Sequence, residues 1–246
     1  MSLLTVERLQ RSFGGVRAVD GVSFNIDAGE IAALIGPNGA GKSTLFNLID
    51  GQLAPHSGSI VFDGESLAGY STAERTRRGI GRTFQVAQTF ATMTALQNVQ
   101  LALVAADGSM RTADMLWNLQ TDAAQALLSQ VGLRSQASTA ASKLAYGDVK
   151  RLELALALAG RPRLLLMDEP TAGMAPAERS ALMQLIVQRA RETNMAVLFT
   201  EHSMDVVFGF ARRVLVLSRG QLVADGAPEA VRADAEVQRV YLGDEA

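Results

Sequence analysis

The order of apolar and polar positions divides the chain into two regimes. In the first third, LTVERL, VSFNI, IAALI and GSIVF are short apolar or alternating runs, separated by the turn-forming FGG and DAGE. Runs of this length between Gly and Asp predict strands. GIGRTF, residues 79–84, reads as a further strand. From about residue 88 to about residue 160 the apolar spacing becomes helical. Three segments carry it: TALQNVQLALV, TADMLWNLQTDAAQALLSQVGL and YGDVKRLELALALA. In the middle one, Met115, Leu119, Ala123, Ala126, Leu127 and Val131 recur along one helix face. Strand-type runs return in RLLLMDEP, MAVLFTEH and RVLVLSRGQLVADG, with the helical APAERSALMQLIVQRARE between the first two. Strands alternating with helices predict a partly parallel sheet covered by helices. The expected fold is α/β, a single domain over 1–246 with a mixed β core. An all-helical sub-domain is expected as an insertion at about 88–160.

Two local signals refine this layout. A helix is expected to open at Lys42–Ser43, after IAALIGPNGAG. Ser71 and Glu74 have the spacing of a capping box at the start of a short helix.

Composition narrows the function classes. The chain has 246 residues, 48% of them hydrophobic, enough for a sizeable core. Its net charge of −2 gives no global basic field, so nucleic acid is not an expected partner. Arg75, Arg77, Arg78 and Arg82 form the densest basic cluster and read as a solvated helix face. The absence of cysteine excludes disulfides and thiolate chemistry. His56 and His202 are too few to build a histidine metal site. The opening MSLLTVERLQ lacks a basic flank followed by an apolar segment, so no signal peptide is expected. No apolar run approaches the ~20 residues needed to cross a bilayer; LELALALAG, for example, carries Glu153. Any membrane role is expected to run through a partner.

Two motifs carry chemistry. Gly36-Pro-Asn38-Gly39-Ala40-Gly41-Lys42-Ser43 fits G-x-x-x-x-G-K-[ST], follows the apolar strand IAALI and opens a helix. The glycines let backbone N–H groups curl around phosphate oxygens, and the helix N-terminus adds its positive end. Lys42 would reach the β- and γ-phosphates, Ser43 would ligate Mg²⁺, and Thr44 would donate near the α-phosphate. The second motif is LLLMDE, an apolar strand ending in Asp168 and Glu169. Asp168 would hold Mg²⁺ through water, and Glu169 would polarise the attacking water. Ligands collect at the carboxyl ends of parallel strands, which suits that position.

With these motifs in place the sequence resembles the ATP-binding-cassette ATPases, P-loop NTPases, over essentially its full length. The resemblance implies further roles. Gln85, in GRTFQ, matches the glutamine loop that touches Mg²⁺ and the attacking water and reports nucleotide state to a membrane partner. His202, after LFTE, matches the switch histidine at the γ-phosphate, and Phe13, in RSFGG, matches the aromatic that stacks on adenine. Ala145-Tyr146-Gly147-Asp148, in LAYGD, matches the signature that each protomer presents to the ATP held by the other. The chemistry then implies a dimer with two sandwiched nucleotides.

The signature departs from the usual LSGGQ. Ala145 cannot offer a serine hydroxyl, and Asp148 places a carboxylate where glutamine is usual, with Lys150 and Arg151 nearby in sequence to offset it. Ala175 stands where many cassettes carry an aspartate coupling the two sites. A weak contribution in trans is the expectation, with a partner cassette bearing a different signature.

FGGVRAVDGVSF, GIGRTFQ with MTALQNV, LAYGD before KRLELA, DEPTAGMAP and the terminal VYLG resemble one group in particular. These are the ATPase subunits of branched-chain amino-acid importers and their relatives for urea or amides. That resemblance implies two membrane permeases, a paralogous second cassette or a second copy, and a solute-binding protein acting indirectly. It places the chain at the cytoplasmic face of the inner or plasma membrane. The ATPase of a lipopolysaccharide exporter is the alternative, on overall length and the ending VQRVYLGDE. A non-transport cassette, such as an iron–sulfur-assembly scaffold ATPase, is a third.

Overall fold

Five-residue runs with every position apolar or nearly so suit strands covered on both faces, and three of them build the centre of the molecule. The computed structural model describes residues 2–83, 89–107 and 120–242. Gln85 and the stretch 108–119, with Met115 and Leu119, lie outside the described residues. The central strands are β3 (Ile31–Ile35), β7 (Leu164–Asp168) and β8 (Ala196–Thr200), buried at every position. They belong to a six-stranded sheet with β6 (Ile80–Thr83), β9 (Arg213–Ser218) and β10 (Gln221–Gly226), in the order β10-β9-β3-β8-β7-β6. β3 runs parallel to β8 and β9, β7 runs parallel to β6 and β8, and β10 returns antiparallel to β9.

A second sheet is antiparallel. β1 (Ser2–Phe13) and β2 (Val16–Asp27) form a long hairpin that turns at Gly14–Gly15, and β4 (Ser57–Phe62) and β5 (Glu65–Ser66) extend it in the order β2-β1-β4-β5. The strands predicted as LTVERL and VSFNI are therefore longer than their apolar cores: β1 is paired along both edges, with β2 and β4, and β2 follows β1 along the hairpin.

Alternation along the central strands assigns their two faces. Ala32 and Leu34 of β3, Leu164 and Leu166 of β7 and Leu198 of β8 share one cluster with the antiparallel sheet and α1 (Lys42–Ile49). Ile31, Ala33 and Ile35, Leu165 and Met167, and Val197 and Phe199 face the other way. There they meet residues of α3 (Ala95–Asp107), α4 (Thr121–Gln130), α5 (Tyr146–Ala159) and α6 (Pro176–Thr193). Each fully buried Leu or Ile contributes about 1.5–3 kcal/mol to this arrangement. α5 spans the predicted YGDVKRLELALALA from end to end. Helices α7 (Met204–Phe210), α8 (Pro228–Ala233) and α9 (Ala235–Leu242) complete the described chain. None of the described helices is long and apolar enough to cross a membrane.

The capping box at α2 (Thr72–Arg77) forms as expected, with Glu74 N–H on Ser71 Oγ and Ser71 N–H on Glu74. Of the four arginines behind it, Arg77 stays exposed and Arg78 pairs with Glu65 at the surface, but Arg75 and Arg82 do not belong to a solvated face. Arg75 is only 5% exposed. Its guanidinium donates to the carbonyls of Leu48 and Ile49, and also to those of Leu67 and Tyr70. Leu48 and Ile49 end α1, where carbonyls have no partner within the helix, so Arg75 acts as a C-terminal cap delivered from a different helix. Arg82 is also tucked in, against Asp50 and Asn47. Charge spacing in sequence suggested solvent; the unpaired carbonyls of α1 draw Arg75 inward. Arg75→Ala is expected to cost about 3 kcal/mol, since it strands buried acceptors. A shift in the urea midpoint equivalent to less than about 1 kcal/mol would reject that role.

Candidate functional site

The site forms where β3, β7 and β8 end, because parallel strands in one sheet bring their carboxyl ends to a common edge. After β3 the chain enters Gly36–Gly41 and then α1. Gly41 has φ +106 and caps α1; a Cβ there would lie 2.1 Å from the carbonyl oxygen of Ala18 in β2. A Cβ on Gly36 would lie 2.1 Å from the Leu217 carbonyl oxygen in β9. Both glycines are thus required by close backbone approach. The loop is also tied down by Gly220 N–H on Ala40 C=O, 2.9 Å. Lys42 Nζ donates to the carbonyls of Gly36 (2.6 Å) and Pro37 (3.1 Å). Burial pushes the Lys42 ammonium below its ordinary pKa, and the charges of Glu169 and Asp168 oppose that shift. Asn38 and Gly39 are exposed on the loop and Ala40 is buried there; in the first turn of α1, Ser43 is exposed and Thr44 half-buried.

Asp168 ends β7 and Glu169 follows it. Thr200, at the end of the neighbouring β8, donates its hydroxyl to Asp168 Oδ1 at 2.6 Å. The other carboxylate oxygen of Asp168 faces Arg82 Nη2 at 3.8 Å. Glu169 has φ +48, a left-handed conformation that costs a non-glycine residue about 1 kcal/mol or more. Its N–H is held by both the carbonyl and the hydroxyl of Thr200, at 3.1 Å each. Its carboxylate meets His202 Nε2 at 2.9 Å. The structure therefore brings Lys42, Asp168, Glu169 and His202 to one edge.

Magnesium takes hard oxygen donors, few of them from protein, and keeps places for phosphate oxygens and water. The Ser43 hydroxyl and the Asp168 carboxylate are donors of that kind. Among the described residues there is no group of three or more His, Cys, Asp or Glu that could hold a metal without such help. The donor set fits Mg²⁺ arriving with a phosphate.

Phe13 sits at the tip of the β1–β2 hairpin and is 45% exposed. Arg11 backs the ring at 5.1 Å and is itself anchored on the Ala54 carbonyl at 2.9 Å. Ala145 precedes α5 in an extended conformation and caps it without a side-chain hydrogen bond. Ala145 and Tyr146 are exposed, Gly147 and Asp148 half-buried. Their contacts run to residues 172–178: the Tyr146 hydroxyl donates to Ala172 C=O, and Gly147 faces Met174 and Glu178. Lys150 does not offset Asp148. It is buried and paired with Glu153 at 3.0 Å, one turn further along the inner face of α5.

The sequence profile of the ABC transporter family matches residues 19–172. The chain is 38% identical to the high-affinity branched-chain amino acid transport ATP-binding protein LivG of Escherichia coli, over 98% of each chain. The chain belongs to the ABC transporter family. A further profile, that of the branched-chain amino acid ATP-binding cassette transporters, matches residues 221–246. The lipopolysaccharide export system ATP-binding protein LptB of Escherichia coli is 32% identical, over 100% of this chain and 99% of its own. Among solved structures, the ADP conformation of an ATP-binding cassette of an ABC transporter superposes with a TM-score of 0.87 at 29% identity, covering 99% of both chains. A dimeric cassette in a post-hydrolysis state with ADP and Pi gives 0.78 at 26% identity, covering 92% and 98%.

The chain is thus an ABC ATPase subunit with the cassette fold expected from its sequence. Several contacts of the cassette had no sequence signal. Thr200 reads only as the end of an apolar strand, yet it holds both acidic residues. Glu201, buried next to His202, accepts from the N–H (2.8 Å) and hydroxyl (2.6 Å) of Thr171. Arg82 was visible only as one charge of a cluster. Its place between Asp50 and Asp168 depends on β6 pairing with β7.

Proposed function

We propose that this cassette is the ATP-hydrolysing motor of an importer for branched-chain amino acids or related small solutes. The observation that carries this reading is the match of residues 221–246 to the branched-chain amino acid cassettes. The full-length identity with LivG agrees with it. Export of a lipopolysaccharide is the second reading, favoured by the similarity to LptB at a lower identity.

In this reading the N–H groups of Asn38, Gly39, Ala40 and Gly41 cradle the phosphates of ATP. Lys42 trades its two carbonyl partners for phosphate oxygens, and Thr44 donates near the α-phosphate. Ser43, Asp168 and Gln85 would hold Mg²⁺, which neutralises charge on the phosphates as the terminal bond breaks. Glu169 accepts a hydrogen bond from the attacking water, and His202, already on the Glu169 carboxylate, steadies it. Phe13 supplies the face for adenine. Ala145, Tyr146, Gly147 and Asp148 are presented to the nucleotide of a second cassette, either a paralogue or another copy. Residues 88–160 act as the helical sub-domain of a single 1–246 domain.

A cleft of about 440 Å³ lies between β6, α3 and α5. Ala102, Ala105, Leu156 and Ala157 give it an apolar wall; Arg82 and Glu153 line it as well. Glu153 Oε2 pairs with Lys150, while Oε1 is buried with no hydrogen-bond partner among the described residues. Burial pushes the Glu153 carboxyl above the usual range, against the pull of Lys150. We assign this cleft to a membrane permease segment that is apolar and carries a basic donor for Glu153. The cassette would then sit at the cytoplasmic face of the membrane. The solute-binding protein would act through the permeases, and nucleic acid has no part.

A mild-detergent pull-down from the protein's own cells tests this. Two dissimilar polytopic permeases and a second cassette support the importer; exporter-type subunits without a second cassette support the other reading. Glu153→Gln keeps the shape and removes the charge, and is expected to reduce permease recovery about tenfold while nucleotide still binds. Undiminished recovery would remove Glu153 from the interface.

A further inference from the structure

Tyr146 opens α5 and is 53% exposed, yet its hydroxyl is engaged. It donates to the Ala172 carbonyl at 2.9 Å. The next residue, Gly173, has φ +76, and a Cβ there would stand 3.4–3.6 Å from the hydroxyl and nearby ring atoms of Tyr146. The tyrosine therefore lies directly against this turn. Ala172 is held through its other backbone group as well, since its N–H donates to Glu169 C=O at 3.1 Å. Glu169 is the residue with φ +48, and such a conformation persists only where its surroundings over-determine it. Thr200 fixes the amino side of Glu169; the turn closed by Ala172 fixes the carboxyl side.

We infer that Tyr146 is a positioning residue for Glu169 of its own chain, acting through the Ala172 turn. The inference rests on the reading of Glu169 as the carboxylate that orients the attacking water. Its content is that the segment 145–148 is tied in cis to the geometry of its own hydrolytic site. Any force on that segment from a second cassette reaches Glu169 through one hydrogen bond and one turn.

Tyr146→Phe removes the hydroxyl and keeps the ring. Two measurements on the purified chain, assembled with whichever cassette it pairs with, test the inference. Backbone amide exchange without nucleotide is expected to quicken at residues 169–173 and stay unchanged in α1. Turnover is expected to fall about fivefold, the rate equivalent of one ordinary hydrogen bond, with KM for ATP unchanged. In single-turnover assays on a Glu169→Gln background, Tyr146→Phe is expected to have no further effect, as for two residues acting through one group.

Wild-type exchange and turnover in Tyr146→Phe, alongside a large loss in Glu169→Gln, would overturn this inference and leave the reading of Glu169 intact. Faster exchange with unchanged turnover, or a full additional loss on the Glu169→Gln background, would also overturn it. Near-normal turnover in Glu169→Gln alone would bring down the reading of Glu169, and this inference with it.

Discussion

Glu169→Gln is expected to lower ATP turnover by roughly 10²–10³-fold while leaving ATP affinity close to that of the parent. The amide has the shape of the carboxylate and remains next to His202, which the carboxylate meets at 2.9 Å. The backbone of residue 169 is held by Thr200 independently of the side chain, so the turn should survive. What the amide cannot do is take a proton, or pull strongly on one, from an attacking water. ATP should then bind and remain, and a dimer closed over unreacted nucleotide should accumulate. Single-turnover hydrolysis and size-exclusion chromatography with ATP would read both effects. Near-normal turnover would exclude Glu169 from its role.

Lys42→Ala is expected to act one step earlier, on binding. Lys42 places a cation at the mouth of a glycine loop, where burial lowers its pKa and the charges of two nearby carboxylates offset only part of that shift. Without it, Asp168 and Glu169 are left facing an incoming triphosphate with less compensation. A charge-assisted hydrogen bond of this kind contributes about 1.5–3 kcal/mol, so nucleotide affinity should fall by about 10- to 100-fold or more. The fold should change little, because the ammonium's present partners are two carbonyls of its own loop. Equilibrium titration with a fluorescent ATP analogue separates the cases. An affinity within about threefold of the parent would mean that the loop holds phosphate through its backbone alone.

The two expectations differ in kind, which makes them useful together. Glu169→Gln should bind and not turn over; Lys42→Ala should fail to bind. A chain in which both merely unfold would show a lowered urea midpoint, and that is the behaviour expected of Arg75→Ala instead.

Much of this was legible in the amino-acid order. The phosphate loop, its strand and its helix follow from glycine spacing and an apolar run, because those features fix the local backbone. The near-continuous apolar runs of β3, β7 and β8 read as strands, and their alternation with helices as a partly parallel sheet covered by helices. The capping box of α2 and the full span of α5 follow from spacing alone. These are short-range properties, set by neighbours in sequence. The family resemblance rested on the same motifs in their order.

Tertiary structure decided the pairings between residues far apart in the chain. Thr200 reaches Asp168 only because β8 lies beside β7 in register. Arg75 leaves the solvent because α1 ends with carbonyls that need a donor, and Lys150 turns inward to Glu153 and away from Asp148. Tyr146 meets Ala172 because the start of α5 abuts the turn after β7. Sequence spacing fixes which face a side chain leaves from. Which buried acceptor or charge it meets there depends on the free energy of leaving a polar group unpaired inside the fold, and that is set only when the elements pack.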